Sequence, residues 1–242
     1  MDSDTISALT ARIDSFPTLP TVVAQVIEIT ANPESSARDL MRVIESDQSL
    51  TTAILKIANS AFFGLARGVS SLQQALTVLG FTEIRNVVLA RAVFSSFKNL
   101  RKDRQFNIGE FWEHSFLCGL AAKTIATDLR GDSNEFFVAG LIHDIGKLIM
   151  WMALPMEYLK IIDTAGSSKL MTCRAEKSIL GVTHDELGMR LLKRWMFPEN
   201  LAAAVGFHHR PHEAKKHALF SLVVYISDLV AHLGEAPDGG DD

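Results

Sequence analysis

Apolar residues recur three and four apart along almost the whole chain, and runs that alternate polar with apolar are nearly absent. This is the periodicity of helices with one buried face, and it predicts an all-α fold. Leu72, Ala75, Leu76 and Leu79 form one such stripe, with Ser70 or Ser71 as its cap and Gly80 placed to end it in a left-handed turn. Thr82 opens a second helix, whose apolar face begins with Ile84, Val87 and Val88 and which runs to about Phe97. Upstream, Asn32-Pro33-Glu34 is a turn, Ala37 to Glu45 a short helix, and Asp47 the cap of a helix through Leu55 to Asn59.

Past the charged stretch Arg101 to Arg104, which reads as a linker, the pattern predicts helices over Ile108 to Leu129, ended by a turn at Gly131, and over Phe136 to about Trp151. Thr183-His184-Asp185-Glu186 has the form of a capping box, placing His184 in a first helical turn. Pro198 and Glu199 open a helix that reaches His208-His209, where Pro211 curtails it, and a last helix covers about His217 to Leu233. The organisation is a smaller N-terminal helical part, residues 1–100, followed by a helical bundle over 105–234 and an acidic, disordered tail, 235–242. No internal repeat and no glycine-rich phosphate loop is visible in the sequence.

Composition narrows the class. With 242 residues, 48% of them hydrophobic, the chain can bury a core without disulfides, and its two cysteines, Cys118 and Cys173, fit a reducing compartment. Its 24 basic and 28 acidic residues leave a net charge of −4, so nucleic acid is not an expected partner. The start, MDSDTISALT, lacks the basic flank of an export signal. The most apolar stretch, between Lys147 and Glu157, has nine uncharged residues, against the ~20 of a membrane span. The expectation is a soluble cytoplasmic protein without a membrane partner.

The chemistry centres on Leu141-Ile142-His143-Asp144-Ile145-Gly146-Lys147. A carboxylate buried without partners costs several kcal/mol, so Asp144 in so apolar a setting requires a cation or donors. Imidazole beside carboxylate is a ligand mix suited to zinc, iron, manganese or nickel; a buried His-Asp pair satisfied by backbone groups is the alternative. His114 lies among Trp112, Phe116 and Leu117, and Asp228 among Tyr225, Ile226, Leu229 and Val230. Singly, His114 reads as a core histidine, and His184 and His208 beside His209 as solvated residues; their joint occurrence with two core aspartates is what points to a shared site. His212, His217 and His232 read as surface or capping residues.

The order His114, His143-Asp144, His184, His208-His209, Asp228 on successive helices resembles the HD superfamily of metal-dependent phosphohydrolases. The resemblance implies one metal at His114, His143, Asp144 and Asp228, a second at His184 and His208 with His209, and a phosphate-binding role for Lys147. Further motifs narrow it: Phe16-Pro17-Thr18-Leu19-Pro20, Ile44 to Leu50, Leu55 to Ala61, Ala75-Leu76 with Leu79-Gly80, Gly140 to Lys147, Gly181 to His184, and Trp195 to Pro198. Together they are similar to the HDOD domain, over about residues 12 to 232. Arg210-Pro211-His212-Glu213-Ala214 stands where the cyclic-di-GMP phosphodiesterase branch carries its Gly-Tyr-Pro element.

The resemblance therefore implies a bacterial signal-transduction or regulatory domain, non-catalytic or weakly catalytic, holding one or two divalent transition-metal ions (iron, manganese, nickel or zinc) and working through a signalling protein partner or a nucleotide ligand. A metal-dependent phosphohydrolase acting on a nucleotide or cyclic dinucleotide is the alternative. Phe62-Phe63 beside a helix end reads either as buried packing or as an exposed binding patch, and the Arg101, Lys102 and Arg104 cluster either as solvated linker cations or as a contact for an acidic partner or nucleic acid.

Overall fold

The computed structural model describes residues 19–60, 68–98, 100, 106–129, 133–166 and 169–235, and among them there is no strand. The chain divides into two compact units, Thr18–Ser96 and a second that holds Phe97 onward. In the first, α1 (Thr21–Ala31), α2 (Ala37–Glu45), α3 (Gln48–Ala58) and α4 (Leu72–Phe97) bury Val26, Leu40, Ile54, Ala58, Ala75 and Val88 in a common core. Caps set the starts. Ser36 Oγ accepts from Asp39 N–H at 3.3 Å while Asp39 returns the bond to Ser36 N–H at 3.0 Å. Asp47 accepts from the N–H groups of Ser49 and Leu50 at 2.9 and 3.0 Å, as its position implies. Gly80, at φ +80°, kinks α4 at the expected point, so the two helices read from the sequence join in one bent element.

The second unit comprises α5 (Ile108–Asp128), α6 (Ser133–Ile142), α7 (Ile145–Ala153), α8 (Pro155–Ala165), α9 (Lys169–Leu180), α10 (His184–Arg194), α11 (Glu199–Phe207), a 3₁₀ segment (Pro211–His217) and α12 (Ala218–Glu235). Helix α5 packs on α6 and α12, α10 on α7 and α11, and α9 on α8. Cys118, Ala122, Leu148, Ile149, Ile161, Leu191, Leu201 and Val224 are buried in its interior. The single helix expected over Phe136 to Trp151 is in fact two, α6 and α7, broken by a turn at His143-Asp144. Helices α1, α8 and α9 were not evident from periodicity. The Gly131 turn, Arg101 to Arg104, Phe62-Phe63, residues 16–18 of the first motif and the tail from 236 lie outside the described residues.

Two segments reach membrane-spanning length and apolarity, Ser133–Ala153 (mean hydropathy 1.4) and Pro211–Leu233 (1.2), longer than the nine-residue run picked out above. The first segment is longer because it extends across His143, Asp144 and Lys147, whose polar side chains the apolar residues around them outweigh. The first segment is 78% buried and the second 33% buried; helices from the core of a water-soluble domain share the same length and composition.

Candidate metal centre

The turn between α6 and α7 is what aims the His-Asp pair. Asp144 leaves helical geometry (φ −96°, ψ 10°) as the residue before α7, and its side chain makes no capping bond, so the carboxylate faces inward. His143 donates Nδ1–H to the Gly140 carbonyl at 2.7 Å, and His208, at the end of α11, donates Nδ1–H to the Val205 carbonyl at 2.7 Å. A carbonyl can only accept, so both rings carry a proton on Nδ1 and turn Nε2 into the centre. His184 is anchored from α9: Glu176 accepts its backbone N–H at 2.9 Å and its Nδ1–H at 2.8 Å. Gly146 makes this possible, because a Cβ there would collide with the His184 carbonyl.

The donors converge on Asp144. Its Oδ2 lies 3.3 Å from His143 Nε2 and 4.0 Å from His114 Nε2; both rings also approach Asp228 Oδ1, at 3.3 and 3.0 Å. Its Oδ1 lies 3.1 Å from His184 Nε2 and 3.7 Å from His208 Nε2. His184 Nε2 in turn faces His209 Nε2 at 3.0 Å and His208 Nε2 at 3.4 Å. Asp144 thus bridges two lobes, one of His114, His143 and Asp228, the other of His184, His208 and His209. His114, His143, Asp144, His184, His208 and Asp228 are all 7% exposed or less.

Hydrogen bonds alone do not satisfy this arrangement. His143 Nε2 and Asp144 Oδ1 are buried without a hydrogen-bond partner, the nearby His184 Nε2 being out of alignment. Three acceptor-type atoms crowd His184 Nε2, which carries at most one proton. A divalent cation suits such a set of inward-facing imidazole nitrogens and carboxylate oxygens, and groups drawn from each lobe have donor atoms within 4.8 Å of one another, close enough to hold an ion.

The electrostatics agree. Burial pushes Asp144 up, but His143 and Lys147 hold it well below the ordinary carboxylate range. Asp228 is likewise held far down against its burial, by the hydrogen bond with His114 and by the nearby His143 ring. Burial would depress His143, yet Asp144 lifts it well above the usual imidazole value; His184, also opposed by burial, is raised to about 9 by Glu176 and Asp144. His208 is lowered by burial and by the rings of His143 and His184, and His209 by burial and the rings of His208 and His184. The carboxylates therefore stay ionised while positive charge is drawn toward them, the field in which a dication is stabilised.

All seven histidine and aspartate positions singled out from the sequence are brought together. Lys147 joins them, its Nζ 2.5 Å from Asp144 Oδ2 and its side chain 21% exposed. His232, read as a surface or capping residue, instead stacks edge-on against His114 at 4.2 Å and lies 3.8 Å from Asp228 Oδ1; its place one turn after Asp228 on α12 puts both on one face. Glu176, 0% exposed, and Cys173 also border the centre and were not read from the sequence. His212 lies on the exposed surface, and His217 pairs with Glu199 at 3.7 Å.

An all-helical bundle whose successive helices deliver His, His-Asp, His, His-His and Asp to one buried centre is a domain of the HD superfamily type. The chain belongs to the HDOD domain family, which matches residues 16–211. It is similar to an HDOD domain protein of unknown function from Geobacter sulfurreducens, at 25% identity with a TM-score of 0.79, over 100% of this chain and 82% of that one. It is similar too to a candidate phosphohydrolase from Shewanella amazonensis SB2B, at 25% identity with a TM-score of 0.78, over 96% and 83% of the two chains. An uncharacterised protein of Treponema pallidum (strain Nichols) is 26% identical over 239 residues; the chain spans 45% of the length of that curated relative.

Proposed function

We propose that this domain is a cytoplasmic signal-transduction module that holds one or two divalent transition-metal ions (iron, manganese, nickel or zinc), is non-catalytic or weakly catalytic, and acts through a signalling protein partner. The observation that carries this reading is the enclosure of the donors: six of the seven are 7% exposed or less, whereas catalytic metal sites keep an open position for substrate. His114, His143, Asp144 and Asp228 would hold one ion, and His184, His208 and His209 with the other Asp144 oxygen a second. Such ions supply Lewis acidity toward a phosphoryl oxygen; here the chain's own residues orient and bury the centre rather than open it.

One observation favours the hydrolase reading, for a nucleotide or cyclic dinucleotide. Lys147 and His209 are half-buried rather than enclosed, and an ammonium beside Asp144 suits a phosphate. The test is turnover. Purified protein loaded with iron or manganese and offered phosphodiesters, nucleotides and cyclic dinucleotides is expected to contain stoichiometric metal and to hydrolyse none of them. Robust hydrolysis that vanishes in Asp144→Ala overturns the regulatory reading in favour of the enzyme, and no metal uptake on reconstitution overturns both.

A further inference from the structure

Cys173 sits on α9 one turn before Glu176, the residue that anchors His184, so the two share the helix face turned toward the centre. Its Sγ, a ring nitrogen of His184 and a ring nitrogen of His209 all lie within 4.8 Å of one another. In a tetrahedral site with ~2.3 Å metal–sulfur and ~2.0–2.1 Å metal–nitrogen bonds, neighbouring ligands stand ~3.3–3.6 Å apart, so small side-chain rotations close the group. Asp144 Oδ1, buried and without a hydrogen-bond partner, lies 3.1 Å from His184 Nε2 and so offers an oxygen to the ring that Cys173 approaches.

We infer that Cys173 is a sulfur ligand to the His184 lobe, which with His184, His209 and Asp144 forms a nitrogen–sulfur–oxygen site for a thiophilic dication of the zinc or cobalt class. The inference rests on the metal-holding reading above and adds to it an asymmetry. The His114, His143 and Asp228 lobe offers only nitrogen and oxygen, whereas thiolate sulfur on the other side favours softer ions over magnesium or manganese. On binding, the metal–sulfur bond replaces the S–H bond and the thiol proton passes to solvent. His208, whose Nε2 lies 3.7 Å from Asp144 Oδ1, faces the same oxygen from α11.

Cobalt(II) makes the test optical. The metal-free full chain is titrated anaerobically with cobalt(II), recording the visible ligand-field bands, which report binding of any kind, and the near-ultraviolet thiolate-to-cobalt charge-transfer band, which reports sulfur alone. The expected result is both bands in the parent protein and in Cys118→Ala, with Cys173→Ala keeping ligand-field absorption but losing charge transfer. In zinc competition Cys173→Ala should bind at least ~10-fold more weakly, since loss of an outer-shell partner alone costs that much. Circular dichroism establishes that each variant is folded, and Cys173→Ser gives a second, near-isosteric variant. Ligand-field bands without charge transfer in the parent protein, or a charge-transfer band that survives Cys173→Ala or disappears in Cys118→Ala, overturns the sulfur ligand and leaves the metal centre standing. Absence of every cobalt band overturns the metal-holding reading itself.

Discussion

Replacing Glu176 by Gln separates its charge from its shape. The Glu176 side chain is wholly buried, and its two oxygens accept the backbone N–H of His184 at 2.9 Å and the ring Nδ1–H at 2.8 and 2.9 Å. Gln can keep an oxygen at the Oε2 position, which accepts both the backbone N–H and the ring Nδ1–H, but in place of Oε1 it sets a buried NH₂ against the same ring Nδ1–H. One buried donor is then left unsatisfied, at a cost of ~1–3 kcal/mol, and the remaining bonds lose their charge assistance, worth ~1 kcal/mol more. The total of ~2–4 kcal/mol is a large part of the 5–15 kcal/mol typical of a whole domain, and at a urea slope of ~2 kcal/mol per molar it moves the midpoint down by ~1–2 M. Glu176 also fixes the ring that offers Nε2 to the centre, so metal affinity should fall ~10–100-fold.

The assay is urea denaturation of the metal-free protein, followed by zinc competition on the folded fraction. A cycle with His184→Ala isolates the pair, with an expected coupling of ~1–3 kcal/mol. An unchanged midpoint together with unchanged zinc affinity in Glu176→Gln would refute the claim that this carboxylate holds His184 in place.

Gly146→Ala forces α7 away from the His184 carbonyl; overpacking of this kind costs ~1–3 kcal/mol, and the expected outcome is lower stability with weakened metal binding, contradicted by a parent-like melt and affinity. Saturating metal at ~100-fold above its Kd should stabilise the protein by ~2.7 kcal/mol relative to chelated protein, visible as a rise in Tm; identical melting curves would tell against the centre. Asp47 supplies a pH signature: its hydrogen bonds with Ser49 and Leu50 hold the folded carboxyl below its ordinary value of 3.8, so its stabilisation is present above that pH and is lost as pH falls through the folded value. Asp47→Asn should therefore flatten the acid side of the urea midpoint against pH, and an unaltered slope would show that Asp47 contributes none of it.

What the sequence disclosed, and what it concealed, follows from where each residue's energy lies. Asp144 and Asp228 stood out because a carboxylate inside an apolar helix is costly wherever the chain goes, a property of the local sequence that needs no partner to be recognised. The turn at His143-Asp144 was hidden for the opposite reason. Helices α6 and α7 are buried almost all round, so no polar face lapses where one ends and the other begins, and neither Gly nor Pro marks the boundary. Glu176 was hidden more deeply. It lies in α9, among Arg174 and Lys177, where an acidic residue looks like part of a solvated face. Its burial arises only because the backbone and ring of His184, eight positions later, return to it in space. His232 lies between these cases: its spacing of four from Asp228 was readable, but the ring of His114 that it packs against belongs to another helix. The ligand positions were thus legible from the cost of burying them, whereas the residues that hold the ligands in place depend on contacts that exist only after folding. Glu176→Gln is accordingly the sharper test of the folded centre, because it leaves every metal-type side chain foreseen from the sequence untouched and alters only the support of His184.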